Sequence, residues 1–175
     1  MGYIKSTYEI LAFKALNRDV TESWIDWAIQ MIVHGHETEH LLILAGTTKP
    51  YNQFYLQDLA SKVFHELSLD FPSQERVLRN YSAYLDGEAL IGNRSYREVL
   101  NELKNICIQL DYEKFLFDFY SLYYALDALE YSQNQGYWPN ATRKNINSVI
   151  TEYFKNWKQE QEECRYQMIE RWNDQ

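Results

Sequence analysis

The sequence predicts an all-α, single-domain bundle of seven to eight helices over residues 1–175, closed by a long C-terminal helix. Three observations carry this. Apolar residues recur at i, i+3, i+4 and i+7 along nearly the whole chain. Capping residues recur just ahead of those apolar runs. With 6 Gly and 3 Pro, the chain holds few of the turn signals that separate strands.

The elements follow in order. A first helix is expected over residues 3–17, with Ile4, Tyr8, Leu11, Ala12 and Ala15 inward. Thr21 reads as the N-cap of a second, over 22–34, and Gly35 as its left-handed stop. Thr38 opens a short third helix over 39–45, which Gly46 is expected to end in the same way. Asn52 caps a fourth over 53–67. Pro72 bars continuation, and a fifth spans 74–91, with Gly87 as a point where it is expected to break. Ser95-Tyr96-Arg97-Glu98 is a capping box opening a sixth helix over 96–110. A seventh covers 112–132, residues 133–141 form a loop, and Thr142 opens the last helix over 143–172.

Charge and composition exclude several classes. The formal net charge is −8, whereas nucleic acid and anionic membranes both call for clustered Lys and Arg, so neither is the expected partner. No apolar leader and no membrane-length apolar run is visible, which places the expected location in the cytoplasm, with Cys107 and Cys164 as thiols. No phosphate loop and no nucleophile elbow occurs, so no cofactor is expected.

One motif suggests chemistry. His36-Glu37-Thr38-Glu39-His40 fits the zinc hydrolase spacing, in which two histidines on one helical face hold the metal and the glutamate is the general base. His34, and His65 with Glu66, extend the metal-binding alternative. The motif straddles the break between Gly35 and Thr38, a further charge at Glu39 separates the histidines, and no strand is in sight to support a zincin helix.

The seventh helix is apolar nearly all round. Phe115, Phe119, Leu122, Leu126 and Leu129 make a core stripe; Phe117, Tyr120, Tyr124 and Tyr131 make a second one on another face. Asp118 and Asp127 are its candidate part-buried carboxylates. With 15 Tyr and 5 Trp in an acidic chain, Tyr120, Tyr124, Tyr131 and Asp127 are the candidate contacts to another protein of basic character. Immunity proteins that neutralise basic toxins are an analogy at the level of composition. A second copy, bound through the thinly apolar end of the last helix (Cys164, Met168, Trp172), is the other expected partner.

Residues 24–70 carry a pattern: Trp27-Ala28, Gly35, Thr38, Leu41-Leu42-Ile43-Leu44-Ala45-Gly46, Pro50 and Asn52-Gln53-Phe54. It resembles a family of small bacterial cytoplasmic proteins with a W-A…G-x-x-[ST]-x-x-L-x-x-L-A-G core. The resemblance implies a helical protein without established activity and supplies no catalytic residue. It also implies that Gly35, Thr38 and Gly46 are helix punctuation.

Overall fold

The computed structural model describes residues 3–69 and 73–173, with side chains as far as Glu162. Pro72, and the side chains of Cys164, Met168 and Trp172, lie outside the described residues. The helices are α1 (Thr7–Ala15), α2 (Glu22–Val33), α3 (Glu39–Ala45), α4 (Gln53–Glu66), α5 (Gln74–Leu90), α6 (Tyr96–Gln109), α7 (Phe117–Tyr131) and α8 (Ile146–Asn173). A 3-10 turn, Lys114–Leu116, precedes α7, and no strand occurs among the described residues. The fold is all-α, with a long last helix. No helix among the described residues is long and apolar enough to cross a membrane.

Packing divides the chain into two compact units, Met1–Tyr81 and Ser82–Gln175. In the first, Phe64 of α4 lies against two tryptophans of α2. It stacks on Trp24 at 6.0 Å and meets Trp27 edge-on at 6.1 Å. Trp27 is buried and donates its indole N–H to Thr7 Oγ1 at 3.0 Å, so the polar edge of the ring is satisfied inside the core. Around these rings, Met31, Leu41, Leu44, Leu56, Ala60 and Val63 complete one apolar cluster. The second unit buries Val99, Leu103 and Cys107 of α6, Phe119 and Leu122 of α7, and Ile150 and Phe154 of α8.

Helix ends explain how so few glycines suffice. α1, α2, α4, α5 and α6 each close with the paired backbone bonds of a Schellman motif, the C″ amide bonding the C3 carbonyl and the C′ amide the C2 carbonyl. The C′ residue needs a positive φ. Gly35 (φ 88°) and Gly92 (φ 82°) supply it after α2 and α5; Asn17 (φ 53°), Ser68 (φ 52°) and Asp111 (φ 54°) supply it elsewhere. A non-glycine residue in this region costs about 1–2 kcal/mol, least for Asn and Asp. Asn52 and Ser95 cap as expected, the latter with Glu98 in a full capping box.

Features of α1, α3, α5 and α8 differ from expectation. α1 begins at Thr7, because residues 3–6 are tied down as a turn while the Tyr3 hydroxyl donates to the Leu67 carbonyl. Gly46 ends α3 at φ −85°, an ordinary right-handed value, so glycine is not required there. α5 runs through Gly87 without a break; a Cβ there would meet only the Lys158 stem, at 3.7 Å. α8 begins at Ile146, because Asn145 Oδ1 accepts from the Thr142 amide (2.7 Å) and hydroxyl (3.0 Å) and holds that stretch as a turn.

Ser68 is the C′ residue with the least local compensation for its left-handed backbone. Ser68→Gly is expected to stabilise the protein by about 0.5–1 kcal/mol, after the entropy lost on ordering glycine is subtracted. Urea unfolding of the two proteins checks this; a lower midpoint for the glycine variant contradicts it.

Candidate functional site

The orientation of α7 is set from inside. Phe119 is fully buried among three rings of α8: Tyr153 at 5.3 Å, Phe154 at 6.1 Å and Trp157 at 5.3 Å. Trp157 in turn donates to Ser82 Oγ of α5 at 2.8 Å. With Phe119, Leu122, Ala125 and Leu129 facing inward, the other stripe of α7 faces out.

That outer stripe is a continuous ladder of rings. Phe117 stacks on Tyr120 (5.4 Å, 19°), while Tyr120 meets Tyr124 (4.8 Å, 57°) and Tyr124 meets Tyr137 from the loop after α7 (5.4 Å, 31°) in tilted contacts. Tyr112 meets Tyr120 edge-on at 5.6 Å. Phe117, Tyr112 and Tyr137 remain 44%, 50% and 50% exposed. Partial desolvation, then the neighbouring phenols of Tyr124, Tyr112 and Tyr137, push the Tyr120 phenol above its usual range. Tyr131 extends the same face at 84% exposure, beyond these rings.

Two irregular segments complete the ladder. Asp111 and Tyr112 are both left-handed (φ 54° and 62°), which is unfavourable for a bulky Tyr and turns the chain so that its ring reaches Tyr120. Helix cannot start at 112 under that geometry, so α7 begins after the 3-10 turn. Beyond α7, Gln135 is the main side-chain tie within the loop. Its Oε1 accepts from the amides of Tyr137 (2.7 Å) and Trp138 (2.8 Å), and its Nε2 donates to the carbonyls of Trp138 (2.5 Å) and Ala141 (3.1 Å). Arg143 reaches back and donates to the carbonyls of Leu129, Glu130 and Ser132, satisfying the end of α7.

Cations border the ladder on one side. Arg97 of α6 bonds Asp127 Oδ1 at 3.0 Å through Nη1 and pairs with Glu130 through Nη2, with its guanidinium 5.9 Å from the Tyr123 ring centre. Lys104 Nζ lies 4.3 Å over the same ring. Asp127 is therefore engaged within the fold, and Asp118, which is exposed, accepts from the Tyr153 hydroxyl at 3.3 Å.

The deeply buried carboxylate is another one. Asp86 on α5 is 0% exposed, and neither of its oxygens has a hydrogen-bond partner among the described residues. Burial alone pushes its pKa well above the carboxylate range, so the neutral acid is favoured in the fold.

The histidines are parted. α2 ends at Val33 and α3 starts at Glu39, so His36 and Glu37 lie in the connection and His40 on α3. His34 lies within reach of the Gln30 carbonyl at 3.2 Å, His36 stacks on Tyr3 at 5.3 Å, and His65 is exposed on α4. His40 Nδ1 lies 2.5 Å from Glu66 Oε1, and the His40 amide donates to Glu66 Oε2 at 3.1 Å. The Thr38 hydroxyl approaches the same carboxylate without a hydrogen bond of standard geometry; it, then His40, holds the Glu66 carboxyl below its usual range. No group of three His, Cys, Asp or Glu side chains stands at metal-binding spacing among the described residues.

Sequence reasoning grouped Tyr120, Tyr124 and Tyr131 on a second face of the helix, without settling whether that face is core or surface, and missed Tyr112, Tyr137 and Gln135 as its companions. The Tyr137-Trp138 pair inside a polar loop was the only signal for the second of these. Comparison with protein-family models, with curated proteins and with solved structures finds no match.

Two outcomes follow from these side chains. Gln135→Ala is expected to lower hydrogen-exchange protection of the Tyr137 and Trp138 amides by about tenfold, with a global loss of about 1 kcal/mol; unchanged protection of those amides would show that Gln135 does not hold the loop. Asp86 has a raised folded pKa, so its stabilising share is complete below the unfolded value of about 4 and is lost as pH rises toward the folded value. Asp86→Asn is thus expected to exceed wild type in stability at about pH 8, with the gap closing toward about pH 4. Parallel denaturation curves across that range check the sign.

Proposed function

We propose that this protein is a non-enzymatic binding module that seats a basic protein segment on the aromatic face of α7. The observation that carries the reading is the contiguous, part-exposed run of rings Phe117, Tyr120, Tyr124 and Tyr137, with Tyr112 at its side and Tyr131 beyond it. Tyrosine contributes a large rigid contact area with a polar tip, and for that reason it concentrates binding energy at protein interfaces. Charge supports a basic partner. Residues 111–131 hold five acids against one base, Lys114; Arg97 engages two of them, Asp127 and Glu130, which leaves Asp111, Glu113 and Asp118 in a chain of net charge −8.

The test compares capture of proteins from the native cell extract by wild type and by Tyr120→Ala/Tyr124→Ala, after circular dichroism has established equal helix content. A basic protein held by wild type and about thirtyfold more weakly by the variant is the expected outcome. The same set of proteins at the same strength on both would overturn the reading.

A further inference from the structure

We propose that the segment seated on the α7 face presents arginine side chains, each laying its guanidinium on a tyrosine ring. The inference rests on the preceding reading and narrows it from a basic to an arginine-bearing partner.

The fold already sets one guanidinium between two carboxylates and a tyrosine ring, 5.9 Å from the ring centre. Arg97 directs its in-plane donors to Asp127 and Glu130 while its guanidinium stands beside the Tyr123 ring. Lys104 covers that ring as well, so Tyr123 is occupied by the protein's own cations. No Lys or Arg of the described residues stands over Tyr112, Tyr120, Tyr124 or Tyr137 in this way. Those rings keep part of their surface open, and the exposed Asp111 and Glu113 flank Tyr112 in sequence. A ring face with negative charge density next to a carboxylate is the combination that a planar cation satisfies twice, by stacking and by in-plane hydrogen bonds. Ammonium meets the charge but cannot stack, which separates Arg from Lys here. An acidic partner would meet the exposed Asp111 and Glu113 on either side of Tyr112.

The experiment titrates the full-length protein with two short labelled peptides, identical except for Arg or Lys at alternate positions with Ser between them, read by fluorescence anisotropy. The Arg peptide is expected to bind about fivefold more tightly or better. Tyr120→Leu/Tyr124→Leu, which keeps apolar area but removes the rings, is expected to erase that preference and leave the Lys peptide nearly unchanged. Equal affinities for the two peptides overturn the arginine inference and leave the basic-partner reading standing. Binding of neither peptide also overturns it, and the capture comparison of Tyr120→Ala/Tyr124→Ala then decides the earlier reading separately. Sedimentation without peptide supplies the last arm: a dimer that requires these tyrosines would make a second copy the occupant and overturn both.

Discussion

Phe119 is the wedge on which the second unit depends. Its ring lies among Tyr153, Phe154 and Trp157, so a single side chain of α7 is gripped by two turns of α8. Once that residue points inward, helical geometry leaves no freedom about the rest. At about 100° per residue, Phe117, Tyr120, Tyr124 and Tyr131 fall about 100–160° around the axis from Phe119. The outer aromatic face is thus a consequence of the inner one. Trp157 extends the constraint to α5 through its bond to Ser82, which satisfies two buried polar groups at once.

The aromatic excess resolves into two populations with different physical roles. Trp24, Trp27 and Trp157 are buried, and two of them pass their indole N–H to a hydroxyl inside the core. Among the described tyrosines, Tyr81 is buried, Tyr3, Tyr8, Tyr51 and Tyr55 lie at intermediate or exposed positions of the first unit, and Tyr112, Tyr120, Tyr123, Tyr124, Tyr131 and Tyr137 lie at such positions on and around α7, where the ring covers apolar surface and leaves its polar tip outward. The surface that results is amphipathic at the scale of single side chains, which suits it to a charged partner better than an aliphatic patch would.

Helix existence was legible from periodicity, and caps such as Asn52 and Ser95-Glu98 were legible because a side chain announces them. Helix stops were less so. Gly35 signalled its left-handed turn, but Asn17, Ser68 and Asp111 perform the same job with residues that also sit in many other places. Gly87 ran the opposite way, a glycine inside an intact helix because tertiary packing outweighs a deficit of about 1 kcal/mol. At the site, spacing along one helix revealed Tyr120, Tyr124 and Tyr131, whereas Tyr112 and Tyr137 arrive through backbone turns that no periodicity encodes. Asp127 looked available and proves to be engaged by Arg97, a contact between helices that sequence spacing cannot show. Asp86 went unnoticed because its burial is a property of how α5 packs, which no spacing along the chain encodes.

The loop after α7 has no regular secondary structure, yet one amide side chain satisfies four of its backbone groups. Regular elements fix their backbone through many small cooperative bonds; here four of the loop's backbone bonds converge on Gln135. Tyr137 is consequently ordered before anything docks, and the entropy of arranging it has already been lost on folding. A ligand meeting such a surface forgoes little further freedom in the receptor, so selectivity is set by shape match at first encounter rather than by the receptor remoulding itself around whatever arrives.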